Sequence, residues 1–167
     1  MIVVSDSTPL ITLMKAARLN VLHELFGEII IPEAVHRELT VNPSYSDEAE
    51  QINSSEFIRV VSVEDRKTVS ILQRAAGLDL GESEAIAYAD NTHADLLLVD
   101  EASGRRVAKS MGLEIMGSIG VLVSAFREGY LTADEADDVF RRIRNANRHI
   151  SEKLIKDALD IIHSEAM

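Results

Sequence analysis

Cysteine and tryptophan are absent from this sequence of 167 residues, and aromatic residues make up only 4% of it. Without cysteine the chain can form neither disulfide bonds nor thiolate metal sites, and a cytoplasmic location is the default expectation. The sequence has no run of about 18 apolar residues, so we expect no membrane span. The first residues, MIVVSDSTPL, have no basic segment followed by an apolar one, so we expect no signal peptide.

Basic residues are scarce as well: 17 of them stand against 28 acidic residues, which gives a formal charge of −11. This balance argues against a protein that coats nucleic acid through a basic surface. It does not exclude a nuclease, because carboxylates that hold divalent cations add negative charge that the cations neutralise. Hydrophobic residues, at 46%, supply a core, and we expect residues 1–167 to form a single domain.

Short apolar runs alternate with segments of helical periodicity. We predict strands at 2–5, 29–31, 57–63, 96–99 and 113–116. Helices are predicted at 33–41, 66–76, 82–91 and 103–111, with a first helix capped by Thr8. The polar segment 42–56 is predicted to be a loop. Everything after Gly117 reads as helical, with breaks near Gly129 and at 147–150. This alternation predicts a parallel sheet covered by helices on both faces.

Acidic residues follow two of the predicted strands directly. Asp6 ends the first strand and Asp100 follows the LLLV strand, and ligands of parallel sheets bind at such strand ends. Each acid has a plainer interpretation as a turn residue or a helix cap. Glu38 borders the apolar face of its helix, although taken alone it reads as an ordinary solvated glutamate.

Two further glutamates open the segment LGESEAIAYA. Glu82 shares a helical stripe with Ala85, Ile86 and Ala89, so we expect it to point towards the core, with Glu84 nearer the edge. The plainer interpretation of Glu82 is an acid favoured by the helix dipole. Carboxylates gathered in one cleft repel each other unless a cation lies between them. Mg²⁺ and Mn²⁺ prefer such oxygen ligands, and a pair of these ions can promote phosphodiester cleavage.

An ordered set of motifs resembles the PIN domain, and within it a group of prokaryotic proteins related to VapC-type toxins. Four segments resemble the four motifs of this family in chain order. They are VVSDSTPLI for the first motif, IIIPEAVHREL for the second, LDLGESEAIAYA for the third and ADLLLVDEASGRRVAKSMGLEIMGSIGVL for the fourth. The helical tail REGYLTADEADDVFRRIRNANRHISEKLIKDAL also resembles that group. The likeness places the site acids at Asp6, Glu38, Glu82 and Asp100.

The resemblance implies a three-layer α/β/α fold with a five-stranded parallel sheet, extended by C-terminal helices at 130–167. It also implies a Mg²⁺- or Mn²⁺-dependent endoribonuclease, acting on RNA as the toxin partner of an antitoxin protein and forming a homodimer. Two features depart from most toxins. The third acid is a glutamate rather than an aspartate, and Leu98 stands where a threonine often precedes the fourth acid.

Other residues and other functions need separate mention. Ser7, Arg105 and Arg106 are candidate RNA contacts, although capping and ordinary helix charge explain them equally well. The five histidines show no HExxH-like spacing, so no zinc site is assigned. The segment DSTPL is a poor match to the glycine-rich turn of dinucleotide enzymes. A phosphoacceptor receiver domain is also disfavoured. The main alternative to a nuclease is a non-catalytic PIN-like binding or regulatory module.

Overall fold

The computed structural model describes residues 1–146 and 150–167. Its sheet consists of β1 (Val3–Ser5), β2 (Ile29–Pro32), β3 (Ile58–Val61), β4 (Leu96–Leu98) and β5 (Ile115–Met116). Every pairing is parallel, and the spatial order is β3-β2-β1-β4-β5. The prediction of a five-stranded parallel sheet is confirmed. The order places β1 at the centre, between β2 and β4.

Helices occupy most of the remaining chain. They are α1 (Ser7–Lys15), α2 (Val21–Phe26), α3 (Glu33–Val41), α4 (Ser46–Ser54), α5 (Arg66–Ala75), α6 (Leu80–Asn91), α7 (Ala102–Ser110), α8 (Ser118–Arg127), α9 (Ala133–Asn145) and α10 (Glu152–Glu165), with a 3₁₀ turn at Pro43–Tyr45. In the part of the chain that the structure describes, no helix is both long enough and apolar enough to cross a membrane.

Both faces of the sheet are buried, and successive side chains of each strand point to opposite faces. Val3 and Leu98 pack into one apolar cluster with side chains of α1, α8, α9 and α10. Val4 and Leu97 point the other way, into a second cluster with α5, α6 and α7. Two helical layers therefore enclose the sheet, and the predicted three-layer α/β/α architecture is confirmed.

The C-terminal helices α9 and α10 are part of the first cluster. The apolar side chains Val139, Ile143 and Ile155 are almost completely buried against the chain's own core and are not available to a partner. Leu154 is different, since 54% of its surface is exposed. The break predicted at 147–150 falls mostly on residues 147–149, which lie outside the described residues.

Three local predictions were wrong. Segment 42–56 was predicted to be a loop, but it holds the 3₁₀ turn and α4, whose Glu48 is buried and pairs with Lys15 at 2.6 Å. The first helix begins at Ser7 with Asp6 at its N-cap, so Thr8 is not the cap. Helix α2 was not predicted at all. Short or polar helices carry little apolar periodicity, so tertiary contacts decide them.

Candidate active site

Asp6 lies where β1 ends and α1 begins, at the centre of the carboxyl edge of the sheet. It is 2% exposed and occupies the N-cap position, yet its side chain makes no capping hydrogen bond. Burial raises the pKa of the Asp6 carboxyl well above its usual value. The negative charges of Asp79, Glu82 and Glu38 raise it further, while the backbone of Ser7 lowers it. The capping interpretation therefore does not account for this side chain.

Glu38 reaches the same edge from α3. Its pKa is raised, first by partial desolvation and then by the charges of Asp79 and Glu101, whereas a hydrogen bond with the Ser7 side chain lowers it. The Glu38 residue is exposed at the surface of the site. Gly81 lies close by, and a Cβ added there would lie 3.3 Å from Glu38 Oε2. The second predicted acid is therefore beside the first turn of α6.

Glu82 comes from that first turn of α6 and is 5% exposed. Its amide donates to Asp79 Oδ1 at 2.8 Å, and its Oε1 accepts from the Asp79 amide at 3.3 Å, which forms a capping box. Its other oxygen, Oε2, is buried without a hydrogen-bond partner among the described residues. Burial and the charge of Asp79 raise the pKa of Glu82 to about 7. One oxygen thus caps the helix while the other has no neutralising contact.

Glu84 is as deeply buried as Glu82, which corrects the expectation that it would lie nearer the edge. Its Oε1 accepts from the Ala34 amide at 3.0 Å, at the start of α3, and its Oε2 pairs with Arg66 at 2.8 Å. Both carboxylate oxygens therefore hold other elements in place. Glu84 joins α6 to α3 and α5, and it has a structural role.

Asp100 follows β4 and is fixed by the start of α8. The Ser118 amide donates to Asp100 Oδ1 at 2.7 Å, and the Ser118 hydroxyl lies 3.0 Å from Oδ2. A Cβ at Gly117 would lie 2.8 Å from Asp100 Oδ1 and 3.1 Å from an Arg105 guanidinium nitrogen. Gly117 therefore permits this close approach. Asp100 lines one cavity together with Glu38 and Glu101.

The three candidate RNA contacts differ in their surroundings. Ser7 is 3% exposed and its side chain is hydrogen-bonded to Glu38, which suits positioning better than phosphate binding. Arg105 donates to the Val99 carbonyl at 2.9 Å, so part of its guanidinium is engaged at the end of β4. Arg106 is exposed, and with Lys109 it lines a cavity of about 530 Å³ that also reaches Asp100.

Two acids near the site, Asp79 and Glu101, were not assigned to it from the sequence. Asp79 caps α6, and its charge raises the pKa values of Asp6, Glu38 and Glu82. Glu101 raises those of Glu38 and Glu82, and it accepts from the Thr8 hydroxyl at 3.3 Å. The capping-box spacing of Asp79 and Glu82 was a readable signal for the first of them. Adjacency to Asp100 was the signal for the second.

A divalent cation suits the chemistry of these side chains. The available ligands are all carboxylate oxygens, which hard cations prefer, and Glu82 Oε2 is a buried acceptor without a donor. Within residues 1–146 and 150–167, however, no three acidic or histidine side chains are arranged to enclose an ion. Mutual repulsion opposes such convergence of unneutralised carboxylates. The donor chemistry at this edge therefore fits a hard divalent cation.

Comparison with protein families agrees with this geometry. A family model described as a PIN domain matches residues 2–164, which include all four candidate acids. No curated protein matches the chain.

Proposed function

Because this chain belongs to the PIN-domain family, we propose that it is a Mg²⁺- or Mn²⁺-dependent endoribonuclease that hydrolyses phosphodiester bonds in RNA. The observation that carries the proposal is that Asp6, Glu38 and Glu82 meet at one edge of the sheet, where the charges of Glu82 and Glu38 add to burial in raising the pKa of the Asp6 carboxyl. Three different elements deliver these acids, and such an arrangement is costly unless a cation neutralises it.

Four acids form the proposed site, and two of them have a neighbouring serine. Asp6, Glu38, Glu82 and Asp100 would hold the metal. Bound divalent ions activate water and stabilise the leaving oxygen in phosphodiester hydrolysis. Ser118 fixes the Asp100 carboxylate through its amide and hydroxyl, and Ser7 restrains Glu38. Arg106 and Lys109 supply positive charge beside Asp100 that attracts RNA phosphates.

The test is cleavage of end-labelled single-stranded and hairpin RNAs by the purified protein. We expect cutting in Mn²⁺ or Mg²⁺, none in excess chelator, and none by the Asp6→Asn variant. Asp47→Asn removes one charge from the exposed start of α4 and is the matched control, which should cut like the wild type. Cleavage that survives both chelator and Asp6→Asn would come from another site or from a contaminant, and would contradict the proposal.

One observation favours the alternative, a non-catalytic PIN-like binding or regulatory module. The absence of a converged trio of ligands from the described residues is what a module without catalysis would also show. RNase activity that rises with the metal concentration would distinguish the nuclease from the binding module. A binding module would retain RNA at every metal concentration without shortening it.

The partners other than RNA are also proposals. We propose an antitoxin partner and a homodimer, in keeping with the resemblance to toxins, and the exposed Ile161 on α10 supplies apolar surface for contact. A small DNA-binding protein encoded beside this gene would support the toxin role. Light scattering that finds only monomer at high protein concentration would remove the homodimer. The cytoplasmic location stays a prediction.

A further inference from the structure

Three cavities adjoin along the carboxyl edge of the sheet. The first, of about 620 Å³, contains Arg37 and Val41 and shares Glu38 with the second. The second, of about 640 Å³, shares Asp100 and Leu154 with the third. The third contains the basic side chains Arg106 and Lys109. Neighbouring cavities share lining side chains, so the three lie side by side. We call this row the groove, and Glu38, Asp100 and Glu101 line its middle cavity.

The middle cavity has two unlike sides. Glu38, Asp100 and Glu101 line it on the side of the site, whereas Tyr45, Ile150 and Leu154 supply an apolar and aromatic wall. Among the residues that the structure describes, the lining of this cavity contains no lysine or arginine, so none of them offers a phosphate a basic partner there. An uncharged, flat ring suits it better, since aromatic and aliphatic surfaces favour stacking.

Tyr45 is held in a fixed place on this wall. The Asn42 side chain accepts from the Ser44 amide at 3.0 Å within the turn Pro43–Tyr45, and α4 begins directly afterwards. The ion pair between exposed Lys15 and buried Glu48 ties α4 to α1. Tyr45 itself packs partly against the core. A side chain ordered in advance loses little entropy when a ligand stacks on it.

We propose that the wall formed by Tyr45, Ile150 and Leu154 is a nucleobase subsite, which takes a base of single-stranded RNA next to the phosphate held at the acids. This proposal rests on the ribonuclease function and deepens it. An apolar section and a basic section lie next to each other in the groove, as a base and a phosphate do in a nucleotide chain. The basic third cavity suits a phosphate, and Leu154, which is part of the base-binding wall, also lines that cavity. Single-stranded RNA leaves its bases free for such stacking, whereas a duplex does not.

The test measures binding rather than cleavage. Fluorescence anisotropy in Ca²⁺ compares a labelled single-stranded octaribonucleotide with an abasic ribose-phosphate chain of the same length, and a gel of each sample checks that the oligonucleotide is intact. We expect the wild type to bind the base-containing chain at least about fivefold more tightly. Tyr45→Ala should remove most of this ratio, while Tyr45→Phe, which keeps the ring, should preserve it.

Matched controls exist on the same surface elements. Tyr130→Ala removes an exposed tyrosine outside the groove, and it should leave the ratio unchanged. Leu154→Ala should lower the ratio, whereas Ile161→Ala, an exposed position of the same helix α10 that does not line the cavity, should not. Thermal melts check that each variant is folded.

The outcomes separate the two proposals. Equal binding of both chains by the wild type, or an unchanged ratio in Tyr45→Ala, overturns the nucleobase subsite and assigns the wall to a protein partner. A Tyr45-dependent ratio without metal-dependent cleavage supports the subsite and overturns the ribonuclease. Loss of cleavage in Tyr45→Ala through a raised KM, with kcat retained, supports both.

Discussion

Glu82 and Glu84 lie two residues apart in α6, are equally buried, and have opposite roles. Glu84 satisfies both oxygens with the Ala34 amide and Arg66, while Glu82 leaves Oε2 without a partner among the described residues. The helical stripe predicted that Glu82 points inward, and the side chain is buried. It could not reveal the role of Glu84, because Ala34 lies 50 positions away in sequence and only the fold brings the two together.

This contrast predicts different effects of the same substitution. Glu82→Gln should weaken Mn²⁺ binding more than about tenfold. Loss of a residue that only supports a metal ligand typically weakens binding by roughly tenfold. It should leave the metal-free protein as stable as the wild type or more so, because it removes a carboxylate whose pKa is raised. Isothermal titration calorimetry and urea unfolding in chelator measure the two quantities.

Glu84→Gln is the matched control. It should leave Mn²⁺ affinity nearly unchanged and lower the free energy of unfolding by about 1 kcal/mol, because the pair with the half-exposed Arg66 is lost. The reverse ranking in calorimetry would show that Glu84, not Glu82, is the metal ligand.

At the scale of elements, the site depends on how closely α6 and α7 approach. A Cβ at Gly104, in the first turn of α7, would lie 2.8 Å from Glu82 Oε2 and 3.1 Å from Val99 Cγ2. Glycine at this position therefore leaves room for the Glu82 carboxylate. The same reasoning applies to Gly81 in the first turn of α6, which lies beside Glu38.

Gly104→Ala should therefore displace Glu82. Alanine favours a helix over glycine by about 1 kcal/mol, but overpacking costs about 1–3 kcal/mol, so we expect a net loss of stability together with weaker Mn²⁺ binding. Gly120→Ala in α8 is the control, because its Cβ would meet only the Met116 side chain, which can move. Unchanged Mn²⁺ affinity in Gly104→Ala, measured by calorimetry, would refute the packing argument.

The elements themselves could be predicted unevenly from the sequence. The strands and most helices followed from apolar periodicity, because burial on two faces imposes it. Helix α4 could not be predicted in this way, since it buries only Glu48 and Ile52 along nine residues. Its position depends on the ion pair with Lys15, a tertiary contact without a sequence signature. Asp79 was missed although its capping-box spacing was readable.

At the scale of the whole molecule, a formal charge of −11 is combined with acids whose pKa values are raised at one edge. Glu82 has a pKa of about 7 in the folded chain against an ordinary value of 4.5. Between these two values the folded state binds more protons than the unfolded state. Metal-free stability should therefore rise as the pH falls through this window, and be lowest above about pH 7.

Urea unfolding in chelator at about pH 8 and about pH 5.5 measures this effect. One pKa unit corresponds to about 1.4 kcal/mol, so the increase should be at most a few kcal/mol. Asp65, Asp138 and Glu165, whose pKa values are lowered, oppose the trend only below their ordinary values of 3.8–4.5. Glu82→Gln should reduce the increase. Stability that is constant or falls between these two conditions would contradict the raised pKa values.

The measurement that tests the central claim most directly is the thermal melt of the wild type and of Asp6→Asn, each with and without Mn²⁺. The claim is that the acids at the sheet edge form a divalent-cation site. A ligand that binds the folded state stabilises it, so Mn²⁺ should raise the Tm of the wild type. Asp6→Asn removes a repelling charge. It should raise metal-free stability by about 1 kcal/mol and abolish the shift with Mn²⁺. The account is contradicted if Mn²⁺ does not change the Tm of the wild type and Asp6→Asn is less stable than the wild type. Asp6 would then be a structural residue.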